Sequence, residues 1–138
     1  VTLEKKLVYP MGPGAAIKSA SSNLTNFSGR ATRSEFWWWY LLMFVTSIIV
    51  MGVVGAALGA LASDGVNWAG LGVWLFLIGI IFQLLIIGVG CRRLHDRGLS
   101  GWFQLLLLFS GIGTIILLIL WLLPGSHGDN TYGAVPAA

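Results

Sequence analysis

The stretch CRRLHDRGLSGWF, residues 91–103, places three arginines, a histidine and an aspartate between two long apolar runs. Only 9% of the chain is Asp, Glu, Lys or Arg. Such a gathering is therefore either a reaction centre or a membrane-surface turn that fixes topology and helix packing. The flanking runs frame the choice. Trp68–Gly90 precedes the turn and Trp102–Leu123 follows it, and neither contains a charge; the same holds for Phe36–Ala62 upstream. Each run exceeds the roughly 20 residues a helix needs to cross about 30 Å of hydrocarbon.

Composition agrees with that reading. Of 138 residues, 57% are apolar and seven are tryptophan, and the mean hydropathy is +0.85. Soluble domains carry about 25% charged residues, which sets this chain apart from them. Strands that span a membrane alternate with period two, and LLIIG and LLLLF do not. The expected fold is an all-α integral membrane protein with three spans: 36–62, 68–90 and 102–123. Residues 1–35 form a cytoplasmic tail and 124–138 an extracytoplasmic one. ALAS at 60–63 imitates a cleavage site, but the apolar run is too long for a signal peptide. The single Cys91 makes no intrachain disulfide. Val1 is read as a literal GTG start, with a processed end as the alternative.

The cations set the orientation. Lys5, Lys6, Lys18, Arg30 and Arg33 precede the first run, and Arg92, Arg93 and Arg97 lie between the second and third. The loop ASDGVN and the tail PGSHGDNTYGAVPAA hold none. Basic residues mark the cytoplasmic side, so three spans put the N-terminus inside and the C-terminus outside. The formal charge of +3 then favours anionic phospholipid headgroups rather than nucleic acid. The sequons at Asn23 and Asn26 fall on the cytoplasmic side and should stay unmodified.

Smaller signals fill in the frame. Ile17, Ala20, Leu24 and Phe27 recur at helical spacing and predict a short interfacial helix over 15–27. Trp37, Trp38, Trp39, Trp68, Trp102 and Trp121 stand near the ends of the runs, where tryptophan anchors a helix at headgroup depth. In GVVGAALGA, residues 52–60, Gly52, Gly55 and Gly59 offer a small-residue face for close helix packing. Gln83 and Ser110, both about 10–12 Å below the cytoplasmic ends of their runs at 1.5 Å per residue, predict an interhelical hydrogen-bond layer.

For the charged turn, arginine's bidentate bonding to carboxylates predicts a lattice in which Glu35 meets Arg92 or Arg93 and Asp96 meets Arg30 or Arg33. His95 and Arg97 complete the cluster, and Ser100 caps the helix that follows. An anion or lipid headgroup is compatible with the same residues. A metal site at Cys91, His95 and Asp96 lacks supporting ligand spacing, and a Cys91–His95 nucleophile pair straddles a helix end; no catalytic residue, metal or cofactor is expected.

Three blocks resemble a family of small bacterial inner-membrane proteins catalogued as domain of unknown function 805: FSGRATRSEFWWW at 27–39, RRLHDRGLSGW at 92–102, and PGSHGDNTYG at 124–133. The third is looser, with Thr131 where the family usually has a basic residue. The resemblance implies the bacterial inner membrane and no established activity. Three function classes follow. The first is a non-enzymatic accessory or scaffolding subunit of a larger membrane complex. The second is a homo-oligomeric small-solute transporter or channel, disfavoured because no ionisable residue lies within a span. The third is an enzyme, for which the turn lacks a nucleophile or metal constellation. A lipid- or stress-sensing regulator overlaps with the anion-binding reading.

Overall fold

The computed structural model describes residues 10–62, 65, 67–109 and 111–136. Four α-helices and one 3-10 helix follow in order: α1 (Pro13–Ser22), α2 (Arg33–Ala60), α3 (Trp68–His95), the 3-10 helix Gly101–Leu108, and α4 (Ile112–Leu122). The fold is all-α.

Helix ends follow local chemistry. Pro13 opens α1 at the position where its missing N–H costs nothing. Thr32 caps α2 by accepting from the Glu35 amide at 3.1 Å, and Asn67 caps α3 by accepting from Gly70 at 3.1 Å. Beyond α3, the Leu99 amide reaches Leu94 O and the Gly98 amide reaches His95 O. Gly98 at φ +73° completes this Schellman pattern. Ser100 accepts from the Trp102 amide at 3.3 Å and starts the 3-10 helix.

α2 and α3 have 28 residues each, about 42 Å at 1.5 Å per residue, and are the two helices among the described residues long and apolar enough to cross a membrane. The third apolar run departs from expectation. It is not one helix but two short legs joined at Gly111, whose φ of +68° and ψ of −87° lie outside helical space. Each leg is about 16 Å long, from 8 residues at 2.0 Å and 11 residues at 1.5 Å. That is half of a bilayer core.

Both legs start or finish at the charged end. Gly101 sits so close to the Cys91 sulfur that no Cβ fits between them. At the far end of α4, the Trp121 indole donates to Gly90 O at 3.2 Å. The predicted third span is thus a hairpin that returns, and the tail 124–136 lies at the same end as the N-terminal segment rather than opposite it.

The core gathers at that end. Phe36, Trp39 and Met43 from the start of α2, Ile86, Val89 and Leu94 from the end of α3, and Leu117 and Trp121 from α4 pack with Ala20 and Ala31. The Phe36 and Trp121 rings lie 4.7 Å apart. Further along α2 and α3, Ile49, Val53, Phe76 and Leu84 are all more than half exposed, a pattern suited to hydrocarbon rather than water. α1 ends five residues before its predicted limit. It packs on α2, with the Met11 amide donating to Ser34 Oγ at 2.9 Å and Ala16 and Ala20 buried.

Candidate site: a buried ion-pair knot

Glu35 stands in the first turn of α2, where a Thr-x-x-Glu pattern ordinarily sends the glutamate back to the cap. Here its side chain turns instead to α3. Arg92 Nη1 donates to Glu35 Oε1 at 2.9 Å, and Ser19 of α1 donates to the same oxygen at 3.1 Å. The Arg92 carbonyl meanwhile accepts from the Ala31 amide at 3.0 Å. One residue thereby ties α3 to both the approach to α2 and its first turn.

Asp96 is shared by two arginines. Arg30 forks onto Oδ1, with Nη2 at 2.8 Å and Nε at 2.9 Å, and Arg93 Nη1 bonds Oδ2. All three side chains are buried. Three buried arginines against two carboxylates leave one positive charge in excess, and backbone carbonyls answer it. Arg30 donates to Gly128 O at 2.9 Å and Ser126 O at 3.0 Å. Arg93 donates to Trp121 O at 3.1 Å and to Leu123 O, the free carbonyls at the negative end of α4.

His95 continues the knot into the tail. Its Nδ1 lies 3.1 Å from Gly29 O; a carbonyl only accepts, so Nδ1 carries the proton. The Tyr132 ring stacks on the imidazole, centroids 3.9 Å apart and 3° from parallel. The Asn130 amide donates to His95 O at 2.9 Å, and its oxygen takes the Tyr132 amide at 2.9 Å. Gly125 passes against the Asp96 carboxylate with no room for a Cβ.

Arg30, Glu35, Arg92, Arg93, His95 and Asp96 are thus brought together. Arg33 is exposed and Arg97 half-buried, and neither forms an ion pair among the described residues. Among these residues no three His, Cys, Asp or Glu side chains group as metal ligands.

A Cβ placed at Gly52, Gly55 or Gly59 would meet nothing within 4 Å; of the two neighbours their spacing leaves open, another span of this chain or a different subunit, no part of the described chain takes the place. Other expectations are corrected. The close approaches fall at Gly88 against the Leu24 carbonyl and Gly113 against Leu106 O. No interhelical layer forms at Gln83 among the described residues. Thr46 and Ser47 bond back to their own helix at 2.7 Å, and Ser110 lies outside those residues. The interhelical bonds come instead from Trp39 to Leu85 O and Gln104 to Ile87 O, both 2.9 Å. Trp39 and Trp121 are accordingly core donors, not headgroup anchors, and Trp121 sits at the charged end rather than the far one. Trp37 is half-buried, while Trp38, Trp68 and Trp102 are exposed at helix starts.

The tail residues Ser126, Asn130 and Tyr132 are the part of the knot that sequence reasoning missed. Their signal was the polar block 124–133, a concentration of turn formers out of place in a featureless tail.

The family model for "Protein of unknown function (DUF805)" matches residues 24–134, which contain every member of the knot except Ser19. The inner membrane protein YhaH of Escherichia coli K12 is 32% identical over 114 residues, covering 83% of this chain and 89% of that protein. The inner membrane protein YhaI of the same organism is 32% identical over 122 residues, covering 86% and 92%. No solved structure matches. With two long apolar helices and relatives of the bacterial inner membrane, the chain is an inner-membrane protein, and it belongs to the DUF805 family.

Proposed function

We propose that this protein is a non-enzymatic accessory or scaffolding subunit that packs on a larger inner-membrane assembly. In this reading α2 and α3 cross the membrane, the hairpin 101–122 enters and leaves by one face, and both tails are cytoplasmic. The observation that carries it is the open small-residue face of α2. Gly52, Gly55 and Gly59 stand at spacing that lets helices approach closely, yet nothing of the described chain occupies that face.

The polar groups at the other end support the same view. Their bonds run to one another and to backbone carbonyls, which suits a rigid mount that holds α2 and α3 in place. All eight cations precede α2, open it at Arg33, or lie in 92–97, which by the positive-inside rule puts that end in the cytoplasm. Lys18 and Arg33, both exposed there, would meet anionic phospholipid.

Native mass spectrometry of tagged protein, gently extracted from its own membranes, tests the proposal. Stoichiometric companions of larger mass support it and name the assembly. A clean homo-oligomer contradicts it and turns attention to solute flux in liposomes. Gly55→Leu should release the companions without loss of helicity.

A further inference from the structure

Burial in the two long helices stops at a definite depth. In α2 the buried residues are Glu35, Phe36, Trp39 and Met43, and in α3 all of them lie between Ile86 and His95. At 1.5 Å per residue, Met43 is about 15 Å from Arg33 and Ile86 about 14 Å from His95. The legs of the hairpin 101–122 are each about 16 Å long. Burial therefore ends where the legs end, and beyond that depth no described residue of α2 or α3 is buried.

Both legs are fixed in that half. Gln104 of the first donates to Ile87 O at 2.9 Å, Trp121 of the second donates to Gly90 O at 3.2 Å, and Leu117 is fully buried. Their outer surface is apolar, with Leu105, Leu108, Phe109, Ile112, Ile115 and Ile119 all exposed. A section through the knot half thus cuts four helices, and a section through the far half cuts two. Since each helix is about 10 Å across with its side chains, the described chain takes about twice the area in one half that it takes in the other.

In a bilayer whose hydrocarbon is about 30 Å thick, the legs reach the midplane and stop. They displace lipid from the cytoplasmic leaflet, and nothing of the described chain displaces the same area opposite. A bilayer relieves such an imbalance by bending toward the wider side, and helices that insert into one leaflet sense curvature for this reason. We propose that the chain is a one-leaflet wedge, and that the lipid surface it fits is one curved convex on the cytoplasmic side. The knot makes the wedge stiff. Arg93 bonds Asp96 and the end of α4, and Arg30 ties Asp96 to the segment before α2, so the legs stay in the leaflet while the knot holds. The inference rests on the hairpin reading above and adds to the accessory role a property of the single chain.

The test pulls membrane tubes from giant vesicles that hold the full-length protein alone. His127→Cys in a Cys91→Ser background is labelled with an impermeant fluorescent maleimide, so that only molecules with the knot outward are seen. We expect these to be at least twofold denser in the tube than in the parent vesicle, relative to a lipid dye, because the outer leaflet of a tube is convex. Molecules with the knot inward, labelled with a permeant dye after the outer ones are blocked, should be depleted at least twofold. No enrichment of the outward molecules, or sorting that does not differ between the two orientations, overturns the proposal. A label count keeps failure of the hairpin reading apart. With Ser21→Cys added at an exposed position of α1, each molecule should take up two impermeant labels or none. One label on every molecule marks a third crossing and overturns the hairpin and the wedge together; two or none without sorting overturns the wedge alone. If Cys91→Ser fails to fold by gel filtration, the native cysteine, which is buried, is kept and the labelling made brief.

Discussion

Asp96 holds two guanidinium groups, Arg30 from the segment before α2 and Arg93 from its own helix. Removing its charge strands both in a buried site, and breaking a buried pair from one side costs about 3–5 kcal/mol. Asp96→Asn should therefore lower stability by about that amount, measured by denaturant unfolding in micelles. Glu35→Gln should cost less, since it leaves one arginine unpaired rather than two. Gly88→Ala should also destabilise, by about 1–3 kcal/mol, because the new methyl meets the Leu24 backbone rather than a side chain that can swing away; a thermal melt of the two proteins decides it. The pairing of Glu35 and Asp96 with arginines was legible because carboxylates are scarce on that side of the chain. The carbonyls that answer Arg30 and Arg93 were not, because a backbone oxygen has no letter of its own in the sequence. For the same reason Gly88 was overlooked in favour of Gly55. Spacing identifies a face that admits close approach, but not whether a neighbour comes.

Hydropathy read α2 and α3 correctly as elements, since 28 apolar-rich residues have no other stable arrangement in lipid. It misread 102–123 because a hairpin that dips into hydrocarbon must be as apolar as a helix that crosses it. The distinguishing letters are few: Gly111, where the backbone reverses, and Gly113, which lets the second leg lie against Leu106 O. Irregular backbone at membrane depth needs protein around it, and here the returning leg and α3 flank it. A spin label at Phe109 should accordingly report greater bilayer depth than labels at Trp102 and Leu122, measured from oxygen and nickel accessibility. A crossing helix gives the same maximum, so the nickel reagent is added to one face alone: the hairpin predicts that Trp102 and Leu122 respond from the same face, and a crossing helix that they respond from opposite faces.

Taken whole, the molecule is a pair of long helices mounted at one end. Segments 10–32 and 124–136 fold over the same turn, and Arg30 bonds Asp96, Ser126 and Gly128 at once. The side on which the chain ends depends on counting crossings, and the reversal at Gly111 brings the third apolar run back to the end from which it set out. We propose that the tail returns to the cytoplasmic face. A single cysteine at the exposed His127 position, His127→Cys combined with Cys91→Ser, tests it most directly with a membrane-impermeant maleimide applied to oriented vesicles. Labelling in inside-out vesicles, with none in right-side-out vesicles until they are permeabilised, is the predicted result. Labelling in intact right-side-out vesicles would contradict the hairpin and restore a third crossing.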